Sequence, residues 1–470
     1  MRRRAVPSSL AALVLLAGAL WPSAAMAQTA PPDFGAARDE VVRLLQGMIR
    51  IDSSSPPGNE TEVAEYIAAV LAEEGIASSI HEMEPGRGNL VARLPGDGTK
   101  RPILLMGHID VVGVERDQWT VEPFSGEVRD GYVWGRGAQD DKGMTAANLA
   151  VFLMLARSGQ PLSRDVIFMA NAGEEGMAHL GVEYMLREHF DEIDAEFALN
   201  EGGGMALTDD GIDLVTVATT EKVSTRMRLV ATGSAGHGSR PRPDNAIIRL
   251  ARAVARFGEW QPPMRLNATT RAYFDRMAER VSPERAYLYR NLENPAISQL
   301  VQEELRLTDL TANSMLRTSI SPTILEGGFR RNVIPGEAVA TLDIRALPEE
   351  DTLWLKAEIE RVVDDPNVAV VRFGARRPVS DPMPLDSELF RAIERVQARL
   401  FPGAATVPTM LTGGTDSSQM RAAGILTYGV GLPTDEATGS RAHGNDERTP
   451  VAGLGHFVEF LWHVVMEVAS

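Results

Sequence analysis

Acidic side chains and histidines stand directly after several apolar segments of this 470-residue chain. The acidic pair Glu174 and Glu175 follows the apolar stretch "DVIFMANAG". Neighbouring carboxylates repel each other, and burying an unpaired charge is costly. Such a pair therefore either faces water or faces a positive charge. A metal ion held by carboxylates and imidazoles would supply that positive charge and would also support hydrolytic chemistry.

Four further motifs offer metal ligands, and each also has an ordinary structural explanation. In "GHID", His108 and Asp110 point to the same side of a strand end, as a metal-bound histidine and its hydrogen-bonded carboxylate do. The acids of "GRGAQDDKG" fit either a metal bridge or the cap of a helix that begins at Met144. "NEGG" is also a common turn, and the histidine of "HGNDER" also fits a surface position.

The clusters are informative together because they supply a complete dinuclear site. Two metal ions about 3.5–4 Å apart need a bridging carboxylate and one or two further ligands each. The residues that supply this set are His108, Asp140, Glu175, Glu201 and His443. Glu174 is then left as a general base. The chain has no cysteine, so the ligands favour zinc, manganese or cobalt.

The elements around these motifs predict an α/β domain that is interrupted by a second domain. Strands alternate with helices up to residue 221, and the polar clusters follow the strands, where function collects in such sheets. Residues 222–377 then read as strand, helix, strand, strand, helix, strand, a ferredoxin-like order, with a helical insert at about 262–314. The α/β pattern returns over 378–470. The sequence therefore predicts a catalytic domain in two parts, 28–221 and 378–470.

Composition and the N-terminus limit the partners. The formal charge of −17 argues against nucleic acid or an anionic membrane surface as partner. "MRRR", the apolar run "LAALVLLAGAL" and "AMA" predict a signal peptide over residues 1–27 and export to the periplasm. The apolar run is short for a membrane span, so no stable membrane insertion is expected after cleavage. An uncleaved anchor is the alternative.

The ordered motifs resemble those of the M20 family of co-catalytic metallopeptidases. The motifs are "GHIDVV", "GRGAQDDKG", "AGEEG", "NEGG", "SAGHGSRP", "RNVIPGEA" with "DIR", "GGTD" and "HGNDER". The helical insert and "TANSMLRTSISPTIL" are most similar to the carboxypeptidase S and N-acyl-amino-acid hydrolase branch; aminoacylases and succinyl-diaminopimelate desuccinylases are further relatives. The resemblance implies a zinc-dependent exopeptidase-type α/β catalytic domain and an inserted ferredoxin-like lid or dimerisation domain.

The resemblance also implies a role for each metal-site residue. His108 and His443 would bind different ions, and Asp140, in a cis peptide bond to Asp141, would bridge them. The residues that complete the site would be Glu175 and Glu201 as ligands, Asp110 as the residue that orients His108, and Glu174 as the base. Relatives can have an aspartate where Asn200 stands. Because an amide supplies no carboxylate, Glu201 is the expected ligand, and a shift by one position remains the alternative.

Further residues are implied to bind substrate. His237 in the inserted domain would reach the active site of a dimer partner and stabilise the oxyanion. Asn332 and Arg345 would form a substrate-binding pair, with Arg345 holding a carboxylate. Gly414 and Thr415 would offer hydrogen-bond donors. A homodimer through the inserted domain is expected, unless the helical insert covers that surface.

Together these features predict an exported enzyme with two divalent ions, zinc first and cobalt or manganese as alternatives. Its substrate would be a small peptide, cut at the C-terminal peptide bond, or an N-acyl amino acid, cut at the acyl-amide bond. A metal-bridging hydroxide would attack the carbonyl, with Glu174 as general base. One alternative is a non-catalytic metal-dependent binding protein on the same scaffold. Another is a serine hydrolase with Ser239 as nucleophile, although "GHGSR" is not a nucleophile-elbow motif.

Overall fold

A computed structural model describes residues 32–374, 377–439 and 441–470. The predicted signal peptide, residues 1–27, lies outside these ranges. The helices of the described chain are α1 Phe34–Ile49, α2 Glu60–Glu73, α3 Lys142–Ser158, α4 Val182–Glu188, α5 Phe190–Ile193, α6 Ala246–Glu259, α7 Ala268–Met277, α8 Pro283–Arg290, α9 Ser298–Thr308, α10 Leu310–Met315, α11 Thr352–Val363, α12 Glu388–Leu400, α13 Ser417–Ala422 and α14 Val451–Ala469.

The strands form one large sheet, a four-stranded sheet and two small ones. They are β1 Ser78–Glu82, β2 Gly88–Leu94, β3 Ile103–His108, β4 Val128–Arg129, β5 Tyr132–Trp134, β6 Val166–Asn171, β7 Phe197–Asn200, β8 Gly204–Thr208, β9 Gly211–Glu221, β10 Val223–Thr232, β11 Gly236–His237, β12 Ser319–Gly327, β13 Val333–Ile334, β14 Glu337–Ala346, β15 Val368–Phe373, β16 Ala405–Leu411, β17 Leu426–Gly429, β18 Pro433–Thr434 and β19 Arg448–Pro450.

The large sheet runs in the order β1-β2-β6-β3-β7-β17-β9-β8-β18, and β16 pairs with β9. Its central strand β3 is parallel to both neighbours, β6 and β7. The side chains of β3 alternate between two hydrophobic clusters: Ile103 and Leu105 pack with α1, α3 and α14, whereas Leu104 and Met106 pack with α4. Helices therefore cover both faces, which confirms the predicted α/β class.

The four-stranded sheet has the order β12-β14-β10-β15 and is antiparallel throughout. Helices α6 and α11 pack on it through a separate hydrophobic cluster that contains Leu250, Ile359 and Leu342. This is the predicted ferredoxin-like domain, inserted between two parts of the larger one. The chain leaves the large sheet with β9 and enters the small one with β10, so Lys222 is the connecting residue. The assigned boundaries, 221/222 and 377/378, stay predictions.

The helical insert, predicted at about 262–314, comprises α7 to α10 over residues 268–315. Although it lies between two strands of the small sheet in sequence, it contacts the large sheet. Arg276 donates to the carbonyl oxygen of Thr406, in β16, at 2.8 Å, and Arg280 donates to that of Gly403 at 2.7 Å. The insert therefore braces the inserted domain against the catalytic one.

Candidate metal centre

Three neighbouring parallel strands bring the predicted ligands to one edge of the large sheet. His108 is the last residue of β3, Glu201 directly follows β7, and Glu174 and Glu175 follow the end of β6. Because β3 lies between β6 and β7, the carboxyl ends of all three strands meet at this edge. Residues that are far apart in sequence therefore converge around His108.

The convergent side chains form two groups of three ligands. In the first group, Nε2 of His108 lies 2.9 Å from Oδ1 of Asp140 and 3.8 Å from Oε1 of Glu201. In the second, Nε2 of His443 lies 3.0 Å from Oε1 of Glu175 and 3.2 Å from Oδ2 of Asp140. Within each group the ligand atoms lie within 4.8 Å of one another. Asp140 offers one oxygen to each group, which is the arrangement of a bridging ligand.

The backbone is unusual at two positions of the ligand groups. The Asp140–Asp141 peptide bond is cis, as the resemblance implied. His443 has a positive φ of 63°, a conformation that non-glycine residues adopt rarely and often at functional sites. Asp141 occupies the cap position of α3, but its side chain makes no capping hydrogen bond. The simple helix-cap explanation of the two aspartates therefore does not hold.

Asp110 holds the loop that carries the two glutamates. Its carboxylate accepts hydrogen bonds from the backbone amides of Glu174 at 3.2 Å and Glu175 at 3.1 Å. Nδ1 of His108 lies 2.9 Å from the main-chain carbonyl oxygen of Asp110 and 3.4 Å from its carboxylate. The predicted orientation of His108 by this residue thus involves the carbonyl more than the carboxylate, whose closer contacts are to the loop.

Glu447 holds the loop that carries Asp140, a role that the sequence did not indicate. Its buried carboxylate accepts the backbone amides of Gly137, Gln139 and Asp140 at 3.1, 2.7 and 3.1 Å. The guanidinium of Arg136 neutralises it at 2.5 Å. The only hint in sequence was its position four residues after His443 in "HGNDER".

Glu174 is buried but belongs to neither ligand group. Its Oε1 accepts a hydrogen bond from Nη2 of Arg377 at 3.0 Å. Burial raises the pKa of Glu174, whereas the positive charges of His108 and Arg377 lower it. The pKa of this carboxyl group is thus raised toward the range of a general base, and the carboxylate is still paired with a cation. Arg377, in the basic stretch "ARRP", was not singled out from the sequence.

The charge of the site suits divalent cations. Burial, and after it the charge of Asp140, raises the pKa of Glu201 well above its usual value. Hydrogen bonds to Asp140 and Glu175 raise the pKa of His443 to about 10, so this position favours a positive charge. The donors are all nitrogen and oxygen atoms, which suit zinc, cobalt or manganese. The residues present therefore fit two metal ions.

Asn200 faces away from the ligands. Its side chain is buried at the end of β7, and its amide donates to Oγ of Ser417 at 3.0 Å. Glu201, one residue later, has the carboxylate that approaches His108. Of the two positions that the sequence left open, the geometry favours Glu201.

The predicted substrate residues of the "GGTD" motif lie beside Arg377 and Glu221. A Cβ atom on Gly414 would come within 3.4 Å of Cδ of Arg377, the partner of Glu174. The amide and hydroxyl of Thr415 donate to the carboxylate of Glu221 at 3.2 and 3.0 Å. Thr415 therefore binds Glu221 in this structure, and its role as a donor to substrate stays a prediction.

Three predicted substrate residues lie on the inserted domain, apart from the ligands. Among the described residues, no hydrogen bond or ion pair joins His237, Asn332 or Arg345 to either ligand group. His237 is exposed and bonds the hydroxyl of Ser239 at 2.7 Å, while Arg345 pairs with Asp343 at 3.1 Å. Within the same ranges, no carboxylate bonds the other ring nitrogen of His237, so the serine-hydrolase alternative lacks a triad.

Comparison with known proteins places the chain in a family. Residues 104–467 match the model of peptidase family M20/M25/M40. The chain belongs to this family. The predicted resemblance and the prediction of an enzyme are therefore confirmed, and the M20 protein described here is a metallopeptidase-family hydrolase that acts on C–N bonds.

Relatives of this M20 protein cover most of its length. A probable carboxypeptidase S-like 2 of Dictyostelium discoideum is 31% identical over 386 residues, 78% of this chain and 72% of the relative. An N-fatty-acyl-amino acid synthase/hydrolase of Xenopus tropicalis is 30% identical over 398 residues, 81% of this chain and 76% of the relative. The crystal structure of an M20 family metallo-carboxypeptidase from Sulfolobus solfataricus has a TM-score of 0.66 at 18% identity and covers 91% of this chain and 100% of that one.

Proposed function

We propose that this M20 protein is an exported, dinuclear metal-dependent hydrolase that releases an amino acid from an amide. The scissile bond is either a C-terminal peptide bond or the acyl-amide bond of an N-acyl amino acid. The observation that carries the proposal is Asp140, whose two oxygens face two separate ligand groups. The buried carboxylate of Glu174 lies beside them, outside either group.

Each residue of the centre has a part in this proposal. His108 and Glu201 hold one ion, His443 and Glu175 hold the other, and Asp140 holds both; zinc is the ion proposed first. Bound divalent ions supply polarisation of the scissile carbonyl and a lower pKa for water. Glu174 takes a proton from the attacking water and delivers it to the leaving nitrogen.

The names of the relatives support a substrate with both an amide and a free carboxylate. One is named a carboxypeptidase-like protein and the other an N-fatty-acyl-amino acid synthase/hydrolase. The guanidinium of Arg345 suits a carboxylate, and exchanging Asp343 for the substrate would keep its charge paired. Arg345 and Asn332 are therefore proposed to hold the released amino acid's carboxylate.

A homodimer is proposed to bring His237 to the catalytic centre of the second copy. Strand β12 is an edge of the four-stranded sheet, and edge strands pair readily with other chains. Its residues Ile324 and Leu325 are 52% and 65% exposed, and the nearby Phe329 is 78% exposed. A partner that covers this apolar edge would place two inserted domains side by side. The proposal that the protein is exported is supported only by the sequence of residues 1–27.

A substrate panel with a chelator tests the function. Blocked dipeptides and N-acyl amino acids, with short and long acyl chains, are incubated with purified enzyme, and the free amino acid is quantified. Chelator-sensitive release from either class supports the proposal, and the class that reacts names the substrate. Two bound ions with no release from any compound would favour the binding-protein alternative.

A further inference from the structure

A third group of metal-ligating side chains lies outside the catalytic centre. His81 is in the edge strand β1, His189 lies between α4 and α5, and Glu192 is in α5. Their ligand atoms lie within 4.8 Å of one another. Two of the eight histidines of the chain thus converge on one carboxylate, although 108 positions separate them in sequence.

The three side chains are already in contact. Nε2 of His81 lies 3.0 Å from Oε2 of Glu192, and Nδ1 of His189 lies 3.2 Å from Oε1 of the same carboxylate. The two imidazole rings stack, with centroids 3.8 Å apart and planes inclined by 28°. Their side chains are 18% and 22% exposed, so an ion from solvent can reach them while most of each ring stays packed.

A further contact orients one ring for ligation. Nε2 of His189 lies 3.1 Å from the hydroxyl of Tyr184. In the tautomer whose Nε2–H donates a hydrogen bond to this hydroxyl oxygen, Nδ1 keeps its lone pair, on the side of Glu192. Metal-bound histidines are commonly held in this way by an acceptor on the second ring nitrogen.

We propose that His81, His189 and Glu192 bind a third divalent ion of the zinc class. The ligands would be Nε2 of His81, Nδ1 of His189 and a carboxylate oxygen of Glu192, with water completing a tetrahedron. Two nitrogens and one oxygen form a common zinc ligand set. The rings would turn out of their stack to converge on the ion, a side-chain movement at the surface that leaves the β1 backbone in place.

The arginines around the group are paired with carboxylates other than Glu192. Arg93 donates to the main-chain carbonyl oxygen of Glu192 at 2.9 Å, and its charge is paired with Asp165 at 2.8 Å. Arg187, over the ring of Tyr184, pairs with Glu188. Both arginines are thus neutralised by other carboxylates, and the carboxylate of Glu192 contacts the two histidines.

The third ion would tie the sheet edge to the segment that follows the catalytic glutamates. Strand β1 supplies one ligand, and the α4–α5 segment, which begins a few residues after Glu175, supplies the other two. An ion that binds only the folded chain raises its free energy of unfolding. The proposal stands independently of the catalytic centre, because no ligand is shared.

The test counts zinc in the mature chain. Wild type, His81→Asn and Glu192→Gln are stripped with chelator, reloaded with zinc, separated from free metal and analysed for zinc per chain. Wild type should hold one zinc more than either variant, and amide hydrolysis should be equal in all three. His179→Asn, a nearby exposed histidine outside the group, is the matched control and should keep the wild-type count.

The two variants lie on different elements, so a folding defect in one leaves the other informative, and unchanged hydrolysis reports correct folding. Thermal unfolding supplies a second reading: reloading with zinc should raise the Tm of wild type more than that of either variant. Equal zinc content in wild type and both folded variants would overturn the proposal. An equal zinc-induced shift in Tm would do the same.

Discussion

The metal-ligand cluster and the substrate residues of the inserted domain are built in contrasting ways. The ligands follow buried strands, and other side chains hold their loops: Asp110 binds the Glu174–Glu175 loop and Glu447 binds the Asp140 loop. His237, in the short strand β11, and Asn332, in the turn before β13, are in contrast exposed on the inserted domain. One region has its ligands within a single chain, whereas the other is proposed to act together with a second copy.

This difference corresponds to two tasks, metal binding and substrate binding. Metal binding needs ligands fixed to a few tenths of an ångström, which a sheet edge with buried anchors provides. Substrate binding needs access, so residues that close over the substrate are carried by another domain or another subunit. We therefore expect changes in the cluster to alter metal content, and changes in the inserted domain to alter turnover with metal content unchanged.

The largest loss of turnover is expected at Glu174. Glu174→Gln removes the base but keeps the side-chain shape, so kcat should fall by about 10²–10⁴-fold. Zinc content should stay at the wild-type value, because Glu174 is in neither ligand group. The matched variant Glu175→Gln should lose metal instead. A Glu174→Gln enzyme with near wild-type kcat would remove this residue from the chemistry.

His237 tests whether the inserted domain acts across a dimer. His237→Ala should lower kcat by about 10²–10³-fold, the usual effect of losing an oxyanion donor, without loss of metal. Mixing it with Glu174→Gln and allowing subunits to exchange should restore activity, because one site of the mixed dimer then has both residues. No restoration, despite proven subunit exchange, would mean that His237 acts within its own chain or has a local role.

Glu447 should affect metal affinity rather than chemistry. Glu447→Gln removes the charge that pairs with Arg136 and weakens the bonds that hold the Asp140 loop. Zinc affinity should fall by about 10–100-fold, as for other supporting residues of metal sites. Competition with a chelator measures it. Asp446→Asn, a change in the same loop at a carboxylate that bonds Thr120, is the control and should have a smaller effect.

Arg377 should cause the smallest change, a shift in pH dependence. Its positive charge stabilises the ionised form of Glu174 and so lowers its pKa against the effect of burial. Arg377→Met should therefore raise this pKa, and the acidic limb of kcat/KM should move to higher pH. Well above both pKa values the rates should converge. An unshifted limb, with Arg361→Met as an exposed control, would show that the contact does not tune the base.

The sequence predicted the parts of this centre that depend on local pattern. Apolar strands followed by polar loops placed His108, Glu175 and Glu201 at one sheet edge, and strand and helix order predicted the inserted domain. The antiparallel hairpin of β8 and β9, which separates β18 from the rest of the large sheet, was not predicted. Its strands follow the glycine-rich "NEGG" turn and have a mixed pattern of burial.

The anchoring residues were missed for a different reason. The hydrogen bond from the Asp140 amide to Glu447 joins residues 307 positions apart, and that from Arg377 to Glu174 joins residues 203 apart. Spacing along one chain does not reveal such pairs, because they depend on how distant loops meet. For the same reason the sequence did not indicate the contact between Thr415 and Glu221, which are 194 positions apart.

Anomalous X-ray diffraction at the zinc edge, on crystals of the mature protein grown with zinc, tests the dinuclear centre most directly. The account predicts two peaks about 3.5–4 Å apart on either side of the Asp140 carboxylate. One should be bound by His108 and Glu201, and the other by His443 and Glu175. A single peak, or two peaks that do not share Asp140, would contradict the account.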